Sequence, residues 1–518
     1  MSYSILSAIV SGLIITASFP KIEIAGLIWF AFVPMLLAIK NKSLGYSFRI
    51  GMLTGFVHYM SLLYWLVYAM DTYGHLPLWL SILLLALLCL YMSLTMGLFC
   101  FIIQLICVHP LFLIIAPCIW VSFEYLRSLT HFAFPWGLIG YSQYKAIELI
   151  QIADITGIYG VSCIIMFVNI SIFIVLLYLT KQSWHKQIPS LSQSILILLF
   201  VFTALFWTYS YGIQRIQEID QQLESSQGMK VSVIQGNIAQ DLKWDDAYRI
   251  KTTKKYLDLT RKASADLPEL VIWPETALTF YVQQKNGLSK AVKENSKNLK
   301  IPLITGGLRF EKHDNAYQFY NSAFLINTLG EIMSYYDKSH LVPYGEYIPF
   351  KKWFPFINKL TEGVGDFSAG KKIKPLEYGD HHLGIQICFE IIFPDLSRKM
   401  VLDNTDILIT ITNDAWYGRS SAPYQHYSMV VFRAVENKRS IARSANTGIS
   451  GFIDPLGRMD ATTELFKDAI ETRKLPICEE ITTYTRMGDF FASSCLMISL
   501  AISILGYFYQ FSWLKRYQ

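Results

Sequence analysis

The stretch Leu383-Gly-Ile-Gln-Ile-Cys-Phe-Glu390 decides how the rest of the chain is interpreted. It is a short apolar run, typical of a buried strand, and it ends in a thiol and a carboxylate. Two other strand-like stretches also end in a polar group, namely Val271-Ile-Trp-Pro-Glu275 and Tyr335-Tyr-Asp-Lys338. A carboxylate, an amine and a thiol delivered in this way can form one nucleophilic site. Taken alone, Cys388 is more typical of packing at a strand end than of chemistry.

The composition divides the chain into a membrane-like part and an ordinary globular part. Of the 518 residues, 53% are hydrophobic and 16% are charged, whereas a soluble protein carries about 25% charged residues. Residues 1–180 contain only 11 of the charged side chains, although the whole chain has 45 Lys and Arg and 39 Asp and Glu. The net charge of +6 is too small to indicate nucleic-acid binding.

The eight cysteines do not form a recognisable metal or disulfide pattern. Six of them lie in apolar spans, where a small hydrophobic side chain is the simpler interpretation. Only Cys388 and Cys478 lie in the globular part. The sequence therefore predicts no metal and no cofactor.

Eight apolar stretches are long enough to cross a bilayer, which requires about 20 residues of helix. They are roughly 5–20, 23–40, 50–70, 77–100, 108–127, 157–180, 192–213 and 490–511. Basic residues concentrate in alternate connections and after the last span, at Lys40, Lys42, Arg49, Lys181, Lys186, Lys515 and Arg516. The positive-inside rule makes that side cytoplasmic. Segment 215–488 then lies on the opposite face, which in a bacterium would be periplasmic, together with Arg127 and Lys145, which weaken the bias.

Segment 229–480 alternates strand and helix patterns, which predicts a layered α/β domain. The predicted strands are 230–236, 267–273, 302–306, 322–327, 332–337, 383–388, 406–412 and 440–444, and the predicted helices are 245–263, 287–298, 393–403 and 423–438. We predict three regions. Residues 1–214 form a transmembrane domain of about seven helices, 215–488 a catalytic domain, and 489–518 a C-terminal transmembrane helix with a cytoplasmic tail.

Three motif blocks arrive in the same order as in the nitrilase, or carbon–nitrogen hydrolase, superfamily, which they resemble. The blocks are Trp273-Pro-Glu-Thr-Ala277, Tyr336-Asp-Lys-Ser-His-Leu-Val-Pro-Tyr-Gly-Glu-Tyr-Ile-Pro349 and Gly384-Ile-Gln-Ile-Cys-Phe-Glu390. With seven spans before this domain and one after it, essentially the whole chain resembles one membrane-embedded branch, the apolipoprotein N-acyltransferases. The resemblance implies a nitrilase-like αββα sandwich inserted between transmembrane helices.

The resemblance also implies the roles of individual residues. Glu275 matches the general base, Lys338 the catalytic lysine and Cys388 the nucleophile of a Glu–Lys–Cys triad. Residues matching supporting positions of the active site are Glu346, Glu390 and Trp244. Phe389 departs from the pattern, because well-known members carry tyrosine after the cysteine. A phenol hydroxyl is therefore missing at this position, whereas a role in ring packing survives.

The implied reaction moves a fatty acyl chain from a phospholipid, through a thioester on Cys388, to the N-terminal amine of an S-diacylglyceryl-cysteine in an apolipoprotein. This is the final step of bacterial lipoprotein maturation. The family places such a protein in the bacterial inner membrane as a monomer, with its catalytic domain in the periplasm. Two alternatives stay open: a membrane-tethered amidase acting on a small C–N substrate, and a transporter or scaffold with an inactive catalytic domain. The intact triad weighs against the latter.

Three other segments are candidates for lesser roles. Aromatic and basic residues interleave in 350–359, which favours contact with a membrane or a lid over the site. The block Asn413-Asp-Ala-Trp-Tyr-Gly418 is expected to shape the rim of the pocket. Four charged residues are expected to form one ion network without a catalytic role: Arg433, Glu436, Arg439 and Arg443.

Overall fold

The computed structural model describes residues 2–107, 109–129, 133–313, 316–347 and 367–516. The predicted membrane-contact segment 350–359 therefore lies outside the described residues. The chain divides into two compact units. The first comprises Met1–Leu66, Trp79–Ile216 and Met487–Gln518, and the second comprises Val67–Leu78 and Gln217–Arg486.

The first unit is helical. Three helices in the described part of the chain are long and apolar enough to cross a membrane, namely Leu78–Ile106, Ile158–Leu179 and Leu191–Glu224, or four if the bent pair Leu44–Leu62 and Trp65–Tyr73 is one span. Shorter apolar helices are Tyr3–Ala17, Ala25–Ile39 and Phe490–Ile504. The full bounds of the remaining helical elements are Ser2–Ala17, Ala25–Trp29, Val33–Ile39, Pro110–Ile115, Ala116–Leu129, Ile139–Gln143, Ile147–Ile150, Ala153–Thr156 and Phe490–Arg516.

Polar side chains inside this unit bind backbone groups where helices are interrupted. The Asn169 amide donates to the carbonyl of Ile28 at 2.9 Å and accepts from the Phe32 amide at 2.9 Å. The Glu124 carboxylate accepts from the Ile139 amide, also at 2.9 Å. Unsatisfied backbone groups are costly in an apolar environment. These side chains therefore provide hydrogen-bond partners for backbone groups that would otherwise be unsatisfied where the helices are interrupted.

The second unit contains two β-sheets. Its strands are β1 (Gly228–Gln235), β2 (Leu270–Ile272), β3 (Leu278–Tyr281), β4 (Leu303–His313), β5 (Ala316–Ile326), β6 (Ile332–Asp337), β7 (Leu376–Tyr378), β8 (His381–Ile387), β9 (Ile407–Thr412), β10 (Ser440–Ala445), β11 (Gly451–Ile453), β12 (Met459–Asp460) and β13 (Ala469–Pro476). The first sheet has the order β13-β1-β2-β4-β5-β6, with β3 paired to β4, and the second has the order β12-β11-β10-β9-β8-β7. All eight predicted strands are present; β6 has the predicted bounds, and the other seven have at least one shifted end.

Helices and sheets of this unit form layers. The helices are Gln240–Lys243, Asp246–Ala263, Gly287–Leu299, Pro394–Leu402, Ala422–Asn437 and Thr483–Met487. An apolar core that includes Tyr256, Val292 and Trp273 joins two of the helices to the first sheet. The sheets face each other through β1 and β10, where the Ser444 hydroxyl donates to the carbonyl of Ile234 at 2.9 Å. This arrangement brings the residues that follow β2, β6, β8 and β9 together.

Candidate active site

Glu275 lies in a tight turn directly after β2, and its carboxylate is held from two sides. One oxygen accepts from the Asn321 side chain at 2.8 Å, and the other accepts from the backbone amide of Asn413 at 2.9 Å. Thr276 has φ 45°, a strained conformation for a β-branched residue. A Cβ on Gly306 would come within 2.5 Å of the Thr276 amide nitrogen. Glycine at 306 therefore lets this turn approach the neighbouring strand.

Lys338 follows β6 and is surrounded by carboxylates. Its ammonium lies 2.9 and 3.0 Å from the two oxygens of Glu346 and 3.5 Å from Glu275. The lysine side chain is 1% exposed. Asn321 donates to both Glu275 and Glu346, at 2.8 and 2.9 Å, and so fixes the two carboxylates relative to each other. Burial by itself lowers the pKa of Lys338, but Glu346 and Glu275 outweigh it and raise that pKa above its usual value. Lys338 is therefore a permanent cation.

Cys388 comes directly after β8 and has φ 53°. This left-handed conformation is unusual for a residue other than glycine, and such residues concentrate at functional sites. The residue is 6% exposed. Burial raises the pKa of the Cys388 thiol, as does the charge of Glu275, while Lys338 acts in the opposite direction. The resting group is therefore a thiol that needs a base, and Glu275 and Lys338 both act on it electrostatically.

Glu390 ties the end of β6 to the end of β8. One oxygen accepts from the Tyr336 hydroxyl at 2.8 Å and from the backbone amide and hydroxyl of Ser339, both at 2.7 Å. The other oxygen accepts from the Ile387 amide at 2.7 Å. Glu390 is completely buried, so each of these bonds forms away from water. The carboxylate therefore holds the strand ends that bear Lys338 and Cys388.

The two aromatic residues predicted at the site have different surroundings. Phe389 is 7% exposed, and its ring packs edge-to-face on Phe393, with centroids 5.2 Å apart. Its ring centroid also lies 6.0 Å from that of His340. Trp244 is half-buried at the end of the helix Gln240–Lys243. Phe389 thus lies in the ring-packing environment that its position predicted.

Lys243 was not predicted at the site, although it directly precedes Trp244 in the sequence. Its ammonium donates to the backbone carbonyl of Glu275 at 3.0 Å, and the residue is 2% exposed. Burial lowers the pKa of Lys243 to about 8, although Glu275 and Cys388 act to raise it. A second buried amine therefore lies beside the predicted triad.

The block 413–418 does more than line a rim, and the predicted ion network is wrong at Arg443 and at Arg439. Arg439 donates to backbone carbonyls, among them those of Thr405 and Glu480. Asn413 binds Glu275 through its backbone, and the side chain of Asp414 forms a buried ion pair with Arg443 at 2.8 Å. Arg433 does pair with Glu436, at 2.9 Å. The error arose because Arg443 lies on β10 beside β9, and that pairing directs it towards the residues after β9.

The assembled groups are suited to acyl transfer. They provide a thiol, a carboxylate able to remove its proton, and a fixed cation able to stabilise an oxyanion. Among the residues that the structure describes, no group of three or more His, Cys, Asp or Glu is arranged to hold a metal ion.

The two facing sheets of the second unit are those of a carbon–nitrogen hydrolase domain. The Carbon-nitrogen hydrolase family model matches residues 230–477, and the Apolipoprotein N-acyltransferase N-terminal domain model matches residues 11–171. A solved carbon-nitrogen hydrolase from Helicobacter pylori G27 aligns with a TM-score of 0.37 and 18% identity, over 48% of this chain and 90% of its own.

Relatives with similar sequences extend over nearly the whole chain. The apolipoprotein N-acyltransferase of Geobacter metallireducens is 40% identical and covers 97% of this chain and 95% of its own length. The Rickettsia prowazekii relative of the same name is 32% identical over 97% and 96%. That of Chlorobaculum tepidum is 27% identical over 96% and 95%. The chain belongs to the apolipoprotein N-acyltransferase family, and it is an acyltransferase.

Proposed function

We propose that this protein transfers a fatty acyl chain from a phospholipid to the N-terminal amine of a diacylglyceryl-modified lipoprotein. One observation carries the proposal. A buried Glu275–Lys338–Cys388 group occurs in a chain with membrane-length apolar helices, and relatives that share nearly its whole length are named for this reaction. The acyl donor is a membrane lipid, and the acceptor is held in the membrane by its lipid anchor. Apolar helices would keep the catalytic domain at the membrane, where both substrates are found.

In the first half-reaction Cys388 attacks the ester carbonyl of the phospholipid. Glu275 takes the thiol proton as the carbon–sulfur bond forms, and the ester carbonyl oxygen becomes an oxyanion beside Lys338. The ester bond then breaks, and the lysophospholipid leaves with the proton that Glu275 held. The product is a thioester on Cys388.

In the second half-reaction the free amine of the lipoprotein attacks this thioester. Glu275 removes a proton from the attacking amine, and Lys338 again stabilises the oxyanion. The carbon–sulfur bond breaks and an amide forms, while the proton on Glu275 returns to the sulfur of Cys388. Because the resting thiol pKa is raised, each cycle depends on the base and not on a standing thiolate.

The supporting residues act through the triad. Glu346 compensates the charge of Lys338, and Glu390 holds the strand ends that carry Lys338 and Cys388. Phe389 contributes ring packing directly after Cys388, and Trp244 directly follows the buried Lys243 in the chain.

The arrangement in the membrane belongs to the same proposal. Residues 1–214 form the transmembrane domain, 215–488 the periplasmic catalytic domain and 489–518 the last span with its cytoplasmic tail. The eight spans and their orientation are inferred from the apolar stretches and the distribution of basic residues, and the inner membrane is inferred from the family. The active species is a monomer that requires no cofactor.

The test is mass spectrometry of the purified protein after incubation with phospholipid. We expect one acyl group on the peptide that carries Cys388, absent in Cys388→Ala, and its loss when a diacylglyceryl peptide with a free amine is added. The absence of an acyl-enzyme together with ammonia release from small amides would instead establish the amidase alternative.

A further inference from the structure

A buried polar cluster in contact with Cys388 has no role in the chemistry described above. Its members are Thr412, Asp414, His426 and Arg443, and each is at most 1% exposed. Burying an aspartate and an arginine is costly unless their geometry and hydrogen bonds compensate. The cluster lies beside the predicted nucleophile, so its buried charges are in a position to act on Cys388.

Asp414 is the centre of the cluster. One of its oxygens accepts from the Arg443 guanidinium at 2.8 Å, and the other accepts from the Thr412 hydroxyl at 3.0 Å. Burial would raise the pKa of Asp414, but Arg443 and the hydrogen bonds hold it at about 2. A Cβ on Gly448 would lie 2.2 Å from the carboxylate. The site is therefore shaped around a permanent carboxylate.

His426 links this pair to the backbone of Cys388. Its Nε2 lies 3.2 Å from the carbonyl oxygen of Cys388. A carbonyl oxygen only accepts, so the proton must be on Nε2. Nδ1 lies 3.1 Å from an oxygen of Asp414 and 3.1 Å from the Arg443 guanidinium. Burial and Arg443 lower the pKa of His426, whereas Asp414 acts to raise it. The Asp414–Arg443 pair therefore holds the ring on its Nδ1 side while Nε2 donates to Cys388.

Thr412 links the same pair to the sulfur of Cys388. Its hydroxyl donates to Asp414 and also acts on the Cys388 thiol, whose pKa it lowers against the effect of burial. While Cys388 is a thiol, the one proton of this hydroxyl is donated to Asp414. When sulfur becomes anionic, the same hydroxyl can turn and donate to it.

We propose that the Asp414–Arg443 pair positions Cys388 through two neighbours: His426 holds the carbonyl of the strained residue, and Thr412 orients and stabilises its sulfur. The inference rests on the proposed function and adds positioning residues to it. His426 maintains the left-handed backbone that presents the thiol, and Thr412 favours the anionic sulfur that forms during attack and departs with the acyl group.

The first experiment compares Thr412→Val with Thr412→Ser in the full-length protein. Acyl-enzyme formation at Cys388 is followed by mass spectrometry as a function of pH. The titratable or charged groups around the sulfur are Glu275, Lys338, Lys243, Asp414, Tyr417 and His426. These groups are unchanged in both variants, so a difference between the variants reports the hydroxyl. We expect the valine variant to acylate about tenfold more slowly at neutral pH. The pH at which its acylation rate rises should be about one unit higher than in the wild type. The serine variant should follow the wild type.

The second experiment compares His426→Leu with His426→Gln, which retains a donor. We expect the leucine variant to lower kcat for acylation at least tenfold with little change in KM for phospholipid, and glutamine to restore most of the rate. Thermal midpoints of all four variants separate this effect from unfolding. A valine variant with the wild-type pH profile, or a leucine variant with the wild-type kcat, would overturn the proposal. A wild-type protein that forms no acyl-enzyme would instead refute the proposed function itself.

Discussion

Replacing Glu346 by glutamine tests whether Lys338 depends on a second carboxylate. The Lys338 ammonium is almost inaccessible to water, and its two closest contacts are the oxygens of Glu346, at 2.9 and 3.0 Å. Glu275 is more distant, at 3.5 Å. Removing one partner of a buried ion pair costs about 3–5 kcal/mol, because the other charge stays buried without compensation. The remaining interaction with Glu275 places the expected loss near the lower end, at about 3 kcal/mol.

A loss of about 3 kcal/mol corresponds to about two orders of magnitude in an equilibrium or a rate. We therefore expect Glu346→Gln to form the Cys388 acyl-enzyme about 100-fold more slowly and to have a lower thermal midpoint. Glutamine keeps the size of the side chain and an oxygen that can accept from the Val342 amide, so the change removes mainly charge. The pair Lys467–Glu464 provides a matched control, because it is 2.7 Å long but its side chains are 62% and 73% exposed.

Glu464→Gln should change stability by less than about 1 kcal/mol and leave acylation unchanged. The comparison has a clear failing outcome. If Glu346→Gln acylates within about threefold of the wild type and melts at the same temperature, the inference that Glu346 compensates the Lys338 charge is refuted.

Three further predictions concern neighbouring positions. Gly306→Ala should displace the turn that carries Glu275, since the new Cβ would lie 2.5 Å from a backbone amide. We therefore expect the rate of acylation to fall at least tenfold. Gly287→Ala is the control, because a Cβ at that position meets no atom within 4 Å. Lys243 has its pKa lowered from 10.5 to about 8, so between these values the unfolded chain binds a proton that the folded protein does not. The thermal midpoint should therefore rise with pH across this window relative to Lys243→Met, by an amount equivalent to about 3 kcal/mol, and parallel curves would contradict the assignment. Phe389→Ala should lower the midpoint through a loss of about 3 kcal/mol of packing, whereas Phe389→Tyr should retain acylation; an active, equally stable alanine variant would exclude the packing role.

The predicted triad could be found from the sequence because each member ends a strand-like run within a longer motif. Glu275, Lys338 and Cys388 follow β2, β6 and β8 as the pattern required. The alternation of strands and helices could also be predicted, because hydrophobic residues recur with different periods in strands and in amphipathic helices. Short or exposed strands such as β7, β12 and β13 carry little of this signal, and they were missed.

The residues that surround the predicted triad are much harder to predict from the sequence. Asn321 lies within β5, and nothing in its neighbours distinguishes it from any other polar residue in a strand. Lys243 has the appearance of a solvated charge, and only its position before Trp244 offered a signal. His426 lies on a helix 38 residues from Cys388, so no local pattern connects the two.

The sequence by itself determined the division into apolar spans and an α/β domain, the order of the strands that lead to the predicted triad, and which three side chains we propose as its members. These properties depend on local periodicity and on short motifs, which are written in consecutive residues. Only the tertiary structure decided which charges compensate one another. Arg443 pairs with Asp414, and Lys338 binds Glu346 more closely than Glu275. The first pairing depends on the placement of β10 beside β9, and the second on how the residues between Lys338 and Glu346 are folded. Local periodicity does not encode either distance.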